Sequence, residues 1–273
     1  MFWKKKYEIT EGYEKAVLLE VLRNFDNSGE SVNEERNRIK RFKIEHNGKE
    51  KEINVKCFSR KNRITEFIYK YFEGSKGRRS YSYGRRLLKL GINTPEPIAF
   101  FDDYYDEATG EKRTFYISEN LKYHLTCREL LWNEKLTPEV EEIIKRDKEK
   151  LIKLFTEFTF FLHEKGVEFH DYSPGNVLIK KTNDDSYEFY LIDLNRMTFR
   201  KKLGFSRRMK NVSRMMEETQ YIEKFSKYYS ELYKKNYLRV FFRLYSFVKI
   251  HESNVAVKDN TRTFRYFFKR KKR

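Results

Sequence analysis

The sequence Phe-His-Asp-Tyr-Ser-Pro-Gly-Asn-Val-Leu-Ile occupies residues 169–179, and Tyr-Leu-Ile-Asp-Leu-Asn-Arg follows at residues 190–196. Each stretch contains an apolar run, and the Thr-Asn-Asp-Asp-Ser sequence between the two runs is typical of a turn. The pattern therefore predicts a β-hairpin. We expect the Pro-Gly pair to bend the chain so that Asp171 and Asn176 face the same cleft, and the hairpin to carry Asp193 back towards Asn176.

This arrangement resembles the catalytic segment of the protein-kinase-like fold, in which an Asp, an Asn and a hairpin ending at a second Asp follow one another. The resemblance implies that Asp171 accepts the proton of the attacking hydroxyl, and that Asn176 and Asp193 hold the Mg²⁺ ions that bridge the phosphates of ATP. An Asp and an Asn at this spacing occur by chance in many chains. The hairpin and the second Asp favour a kinase.

The first 60 residues are predicted to be rich in strands, and residues 51–58 alternate most clearly. One face of that strand is apolar and carries Ile53, Val55 and Cys57. In kinases a strand in this region carries the Lys that contacts the α- and β-phosphates, and Lys56 is the candidate; the alternative is a solvent-exposed strand Lys. The glycine-rich lid is matched only by the turn-forming residues 24–31, which fit an ordinary hairpin turn equally well.

Residues 75–90 predict the helix that follows the lysine strand, and this helix ends at Gly91. Protein kinases use a Glu on this helix to orient the strand Lys. The sequence has no acidic residue between Glu73 and Glu96, so either Glu66 or Glu73 takes this role, or Lys56 is positioned in another way.

Residues 114–119 predict a strand that leads into an interlobe hinge, so the backbone at Glu119 is the candidate contact for the adenine of ATP. We therefore predict an α+β, bilobal protein-kinase-like fold. Its strand-rich, nucleotide-binding N-lobe would comprise residues 1–120. The mainly helical C-lobe, residues 121–273, would carry the catalytic loop, the metal site and the acceptor-binding surface.

The C-terminal half predicts long helices. Thr137 and Pro138 form a helix start, and apolar residues recur at helical spacing from there to Gly166. His163 lies near the end of this helix, and we interpret it as a structural or solvent-facing residue rather than a catalytic one. Residues 206–247 are again helical in pattern and rich in Tyr and Phe.

The composition is strongly basic, with a formal net charge of +18 over 273 residues. Such a charge attracts polyanions, which include nucleic acid, an anionic membrane face and a phosphorylated substrate. Two cysteines, Cys57 and Cys127, support no disulfide framework and suit a reducing cytoplasm. The N-terminus lacks the apolar run of a signal peptide, and no stretch is apolar enough to span a membrane, so we expect a soluble or peripheral protein.

The chain also resembles the lipopolysaccharide core kinases, which phosphorylate heptose or Kdo (3-deoxy-manno-octulosonic acid) in bacteria. The likeness lies in the stretches His-Asp-Tyr-Ser-Pro-Gly-Asn (170–176), Ile-Asp-Leu-Asn-Arg-Met (192–197), Asn-Val-Lys-Cys-Phe (54–58), Ser-Lys-Gly-Arg-Arg-Ser-Tyr (75–81) and Gly-Ile-Asn-Thr-Pro-Glu-Pro-Ile (91–98). The resemblance implies an ATP- and magnesium-dependent sugar kinase, acting on a lipid-linked anionic acceptor at the cytoplasmic face of the inner membrane. The sequence leaves open whether the acceptor is Kdo or heptose, and it leaves the oligomeric state open.

Two departures from protein kinases affect the loops. Phe169 stands where protein kinases place a His, so we expect packing to brace the catalytic loop instead of that hydrogen bond. Asn195 stands where they place the Gly of Asp-Phe-Gly, and Asn is among the few residues that tolerate a positive φ. Neither change removes a group that handles phosphate, metal or proton, so the sequence indicates an active enzyme.

Two basic segments suggest how the acceptor and the membrane are bound. Residues 200–210 contain six cations and no acid, which favours an acceptor that already carries carboxylates and phosphates. Residues 264–273 mix six cations with four aromatic side chains. This tail is either an anchor on an anionic inner-membrane surface or a solvated charge run.

Other functions compete with a lipopolysaccharide sugar kinase. A kinase acting on a protein lacks support because no Ala-Pro-Glu sequence follows Asp193, and a kinase acting on a cationic aminoglycoside conflicts with the net charge. A nucleotide-binding pseudokinase is disfavoured because the candidate phosphate, metal and base residues are all present. A nucleic-acid binder is disfavoured because the cations are scattered and match no recognisable nucleic-acid fold.

Overall fold

A computed structural model of the chain describes residues 5–33, 37–58, 74–107, 109–134, 136–183 and 186–270. The chain divides into two compact units. The first comprises the residues up to Lys122 together with Tyr190–Met197, and the second comprises Tyr123–Phe189 and Thr198–Arg273. The prediction of an α+β fold with a strand-rich N-terminal region and a helical C-terminal region is confirmed.

The first unit is built on a six-stranded antiparallel sheet with the strand order β1-β5-β6-β4-β3-β2. Its strands are β1 (Tyr7–Ile9), β2 (Glu30–Asn33), β3 (Arg38–His46), β4 (Lys49–Phe58), β5 (Pro97–Asp106) and β6 (Glu111–Glu119). Two described helices accompany the sheet, α1 (Lys15–Arg23) and α2 (Lys76–Lys89). The sequence analysis predicted α2 but missed α1.

The core of the first unit follows from the alternation in β4. Ile53 and Val55 are fully buried and pack with Leu18 of α1 and with Phe115 and Ile117 of β6. Burying a large aliphatic side chain contributes about 1.5–3 kcal/mol. The apolar face therefore fixes the register of β4, and the intervening residues of this strand are held on the opposite face.

Helix α2 approaches the sheet closely because it carries glycines at the contact. A Cβ at Gly77 would lie 2.7 Å from the backbone oxygen of Phe115, which is closer than real Cβ atoms come. The helix begins at the N-cap Ser75, whose side chain accepts a hydrogen bond from the amide of Arg78 at 3.0 Å. The helix predicted over residues 75–90 is thus confirmed.

The elements after residue 122 are mostly helical. The helices are α3 (Cys127–Trp132), α4 (Pro138–Glu164), α5 (Phe205–Val212), α6 (Thr219–Tyr233) and α7 (Tyr237–Arg270). The strands are β7 (Leu125–Thr126), β8 (Val167–Phe169), β9 (Val177–Asn183), β10 (Ser186–Leu191) and β11 (Met197–Phe199), and they form sheets with the orders β10-β9-β7 and β11-β8. Short 3-10 turns lie at Pro174–Asn176 and Ser213–Met215. The hairpin, the long helix after Thr137 and the helical pattern of residues 206–247 were all predicted.

The division of the chain differs from the prediction at one segment. We expected everything after residue 120 to belong to the second unit, but residues 190–197 belong to the first. The amide of Leu191 donates to the carbonyl of Asn93 at 3.0 Å, and Thr94 Oγ1 donates to the carbonyl of Leu191 at 2.7 Å. These bonds tie the end of β10 to the segment that precedes β5. The candidate metal ligand Asp193 is therefore part of the first unit.

None of the helices in the described residues combines the length and the apolar character needed to cross a membrane. In the last helix, the backbone is described as far as Arg270, but the side chains of residues 258–270 are not. The tail predicted at 264–273 therefore lies outside the residues whose side chains the structure describes.

Candidate active site

Lys56 and Asp193 form an ion pair within the first unit. Lys56 lies near the end of β4, and its Nζ is 2.6 Å from Asp193 Oδ1. The Lys56 side chain is only 13% exposed. Its neighbours Val55 and Cys57 are buried on the other face of the strand, so the register of β4 fixes the position from which the ammonium reaches the carboxylate. The structure thus brings these two predicted site residues together.

Asp193 has an unusual backbone conformation, with φ at +57°. Few non-glycine residues adopt this left-handed region, although Asp and Asn do so more readily than most. The sequence analysis had considered a positive φ only at Asn195, which is not among the residues of the described chain that adopt one. Asn195 uses its side chain, because its Nδ2 donates to Asp193 Oδ1 at 2.7 Å. Lys56 and Asn195 therefore hold the same carboxylate oxygen and fix this strained turn.

The catalytic-loop residues Asp171 and Asn176 meet within the second unit. Asn176 Nδ2 donates to the carbonyl of Asp171 at 2.8 Å, and the Asn176 amide donates to the carbonyl of Ser173 at 2.9 Å. Gly175 lies in the same tight turn, against the Arg128 guanidinium: a Cβ there would be 2.6 Å from Arg128 Nη2. The Pro-Gly turn thus brings the side chain of Asn176 against the backbone of Asp171.

Packing braces this loop, as expected, since Phe169 is fully buried with its ring centroid 6.0 Å from that of Tyr172. Hydrogen bonds that the sequence analysis missed brace it as well. Asn211 Nδ2 donates to the carbonyl of Phe169 at 2.7 Å, and Arg214 Nη1 donates to the carbonyl of His170 at 2.5 Å. No local motif marks these two donors, which lie about 40 residues downstream. For Asn211 the available signal was a polar residue on the apolar face of a short amphipathic helix; Arg214 lies in the 3-10 turn after that helix and has no such signal.

His163 is structural, in agreement with the sequence interpretation. It is fully buried, and its ring nitrogens contact Tyr229 Oη at 2.9 Å and Asn211 Oδ1 at 3.3 Å. Burial, with a smaller contribution from the charge of Arg208, lowers the pKa of His163 to about 3. The ring is therefore neutral near pH 7 and has no access to solvent for proton exchange with a substrate.

The predicted metal ligands have free oxygen atoms. Because both donors of Asp193 meet Oδ1, its Oδ2 is left without a hydrogen-bond partner among the described residues. Asn176 donates through Nδ2, which leaves its Oδ1 as the remaining ligand atom. Mg²⁺ is commonly bound through only one or two carboxylates together with phosphates and water, so each of these oxygens is by its chemistry a suitable ligand. The described residues contain no cluster of three or more His, Cys, Asp or Glu side chains that could hold a metal alone.

The remaining nucleotide-site predictions fare differently. The backbone amide of Glu119 donates to the carbonyl of Glu96 at 2.9 Å, and the amide of Asn120 donates to the carbonyl of Glu52 at 3.0 Å. Of the backbone groups of Glu119, only the carbonyl oxygen is therefore a candidate contact for a nucleobase. Residues 24–31 connect α1 to β2 and form no hairpin turn; Gly29 there has φ +83° and lies over the ring of Phe42. The candidate partners of Lys56, Glu66 and Glu73, lie outside the described residues.

The basic run 200–210 is less available to an acceptor than the sequence suggested. Arg200 and Arg207 both donate to Glu168, at 2.8 and 3.2 Å. Burial alone raises the pKa of Glu168, but these bonds outweigh it and bring the pKa below its usual range. Arg208 is buried and bonds the carbonyl of Leu203 at 2.7 Å. The exposed lysines of the run are Lys201, Lys202 and Lys210.

Comparison with known proteins agrees with the kinase-like arrangement. Residues 25–241 match the profile of the lipopolysaccharide kinase (Kdo/WaaP) family. A solved structure described as "WaaP in complex with acyl carrier protein" aligns with 92% of this chain and 98% of that chain, with a TM-score of 0.59 and 17% sequence identity. At this identity the structural likeness indicates a shared fold. No curated protein sequence matches the chain.

Proposed function

The chain belongs to the lipopolysaccharide kinase (Kdo/WaaP) family, and we propose that it transfers the γ-phosphoryl group of ATP to a hydroxyl of Kdo or heptose in the lipopolysaccharide inner core. The observation that carries this proposal is the family match together with the Lys56–Asp193 pair and the Asn176–Asp171 contact. These residues include a group for each task of phosphoryl transfer.

We assign each of these residues one task. Asp171 accepts the proton of the attacking sugar hydroxyl, which contributes about two to four powers of ten to the rate. Lys56 contacts the α- and β-phosphates, and the carbonyl at Glu119 is the candidate contact for adenine. Asp193 and Asn176 are the residues that would hold Mg²⁺, which when bound would supply positive charge to the transferring phosphoryl group.

The acceptor is anionic, since inner-core sugars carry carboxylates and phosphates, and the exposed cations of the second unit suit it. Lys201, Lys202 and Lys210 are the exposed lysines of the run 200–210. The two arginines bonded to Glu168 remain 38% and 47% exposed, so they add positive potential although their positions are fixed. We therefore propose this run as part of the acceptor-binding surface.

A lipid-linked acceptor confines the reaction to a membrane, and we propose that the protein works at the cytoplasmic face of the inner membrane. Helix α7 supports this, because one of its faces combines exposed apolar side chains with cations, of which Lys249 is paired with Glu252 at 2.8 Å. The apolar members are Leu238, Phe242, Ile250 and Val257, and the cationic members are Arg239, Arg243 and Lys249. Phe242 is 60% exposed. Such a face, extended by the basic tail at 264–273, suits an anionic bilayer surface.

The test is incubation of the purified protein with labelled ATP, magnesium and a panel of lipid-linked Kdo and heptose acceptors, read by mass spectrometry. We expect one sugar to gain a phosphoryl group, and Asp171→Asn to lose this activity while it still binds ATP. Transfer to a protein or to a soluble small molecule instead would replace the acceptor class. ATP binding without transfer to any acceptor would indicate a pseudokinase and refute the proposal.

A further inference from the structure

The catalytic loop is held by an uninterrupted set of side-chain bonds to its backbone. The carbonyls of three consecutive residues, 169–171, each accept one. Asn211 Nδ2 lies 2.7 Å from the first, Arg214 Nη1 lies 2.5 Å from the second and Asn176 Nδ2 lies 2.8 Å from the third. Asn176 belongs to the loop itself. The other two donors come from the end of α5 and the 3-10 turn after it, which no catalytic motif includes.

The contact of Asn211 fixes the direction of every hydrogen bond behind it. Because its amide nitrogen donates to the loop carbonyl, its Oδ1 can only accept, so His163 Nε2 must carry a proton. A neutral ring has one N–H, so His163 Nδ1 accepts from the hydroxyl of Tyr229 at 2.9 Å. The Tyr229 oxygen then accepts from Arg208 Nη1 at 3.5 Å. A relay with a single polarity therefore runs from Arg208 to the catalytic loop.

The relay is buried along its whole length. His163 is 0% exposed, Arg208 2% and Asn211 8%. The same Nη1 of Arg208 also forms an ion pair with Glu164 at 2.6 Å. A buried network of this kind is rigid while every member has its partner, and it is costly when one member is left unsatisfied. The relay therefore has one low-energy arrangement, and that arrangement fixes the carbonyl two residues before Asp171.

We propose that Asn211 and Arg214 are positioning residues of the catalytic loop, with His163 and Tyr229 fixing Asn211 behind it. The proposal rests on the proposed function, because it assigns these side chains the task of placing the Asp171 carboxylate for proton transfer. Arg214 serves this doubly, since its Nη1 is also 3.7 Å from Asp171 Oδ1. Misplacing a catalytic group by about 1 Å costs on the order of 100-fold in rate, so the relay affects turnover without touching a substrate.

The first test is kinetic and uses pairs of variants. His163→Leu removes the donor to Asn211, whereas His163→Gln keeps an amide donor near the same place. Arg214→Met and Arg214→Lys form the same kind of pair. We expect the Leu and Met variants to lose roughly 10- to 100-fold in kcat with KM for ATP nearly unchanged, and the Gln and Lys variants to recover part of the loss.

A matched pair of milder changes guards against simple misfolding. Tyr229→Phe removes the hydroxyl that donates to His163, while Tyr187→Phe removes a hydroxyl bonded to Asp147 at 2.6 Å, outside the relay. We expect only Tyr229→Phe to lower kcat. Equal kcat values for Tyr229→Phe and Tyr187→Phe would overturn the proposal. So would an equal loss of kcat in both members of the His163 pair and of the Arg214 pair.

A second measurement needs no acceptor. The amide of Tyr172 donates to the carbonyl of Phe169 at 3.1 Å, and Asn211 donates to the same carbonyl. Hydrogen–deuterium exchange of the peptide 169–176 therefore reports on how firmly the relay holds the loop. We expect faster exchange in His163→Leu and Arg214→Met than in their conservative partners. Faster exchange in these two variants, combined with a wild-type protein that transfers no phosphoryl group, would support the positioning of the loop and contradict the proposed function. Unchanged exchange and unchanged kcat in the variants of an active kinase would contradict the positioning of the loop and leave the proposed function standing.

Discussion

The buried ring of His163 predicts a specific loss of stability in mild acid. Folding lowers the pKa of this residue to about 3, while the unfolded chain has the ordinary value of about 6.5. The unfolded state therefore binds the proton first as the pH falls, so the contribution of His163 to stability is complete above pH 6.5 and declines towards pH 3. Each pH unit in this window costs about 1.4 kcal/mol. Between pH 6.5 and pH 5 the loss is about 2 kcal/mol.

The perturbation that isolates this effect is His163→Gln, which keeps a polar side chain without a titrating group. Urea unfolding at pH 7.5 and pH 5.0 gives the loss for each protein, and tryptophan fluorescence follows it. The sequence contains only Trp3 and Trp132, so Trp3→Phe in both proteins leaves Trp132 as the sole reporter of the second unit. We expect the wild-type protein to lose about 2 kcal/mol more than the variant.

Other titrating groups do not imitate this result. The remaining histidines are common to both proteins, so their contribution cancels in the difference. The carboxylate Glu168, whose folded pKa is lowered, loses its contribution only below the pKa of an unfolded Glu, about 4.3, outside the compared range. An equal loss in the two proteins would show that His163 is accessible to protons, and the buried relay would then be wrong.

Three further predictions concern the site, the fold and the tail. Lys56→Ala should lower kcat by roughly 100-fold by loosening phosphate positioning, and full activity in steady-state kinetics would contradict the proposed contact of Lys56 with the phosphates. Gly166→Ala should destabilise the protein by at least about 2 kcal/mol in urea, since φ is +71° and a Cβ would lie 1.9 Å from the oxygen of Arg200, whereas Gly204→Ala, with open space around it, should not. Deleting residues 264–273 should lower activity on membrane-embedded acceptor, spare activity on detergent-solubilised acceptor and reduce salt-sensitive co-sedimentation with anionic liposomes; equal loss on both acceptors would mean that the tail supports folding.

Local pattern predicted much of the fold and part of the site. The Asp171–Asn176 contact depends on six consecutive residues and a Pro-Gly turn, so their identities suffice. The strand that carries Lys56 was visible because an apolar alternation over a few residues fixes both its type and its faces. The hairpin followed from two apolar runs with turn residues between them.

The missed features depend on contacts between distant parts of the chain. Asn211 and Arg214 meet the loop only after α4, α5 and the intervening strands have packed, and no spacing rule encodes that meeting. The same holds for the left-handed turn. Sequence reasoning considered a positive φ only at Asn195, by analogy with a glycine, whereas Asp193 adopts it and two donors hold its carboxylate.

The placement of residues 190–197 has a consequence for anyone who tries to cut this protein in two. The chain crosses between its units after Lys122, after Phe189 and after Met197, so no single cut separates them. A fragment that ends near residue 120 would lack Asp193 and leave the Lys56 ammonium without its counter-ion. The complementary fragment would carry an orphaned peptide that belongs to the other piece. A stand-alone first unit would have to be assembled by fusing residues 1–122 through a short linker to residues 190–197.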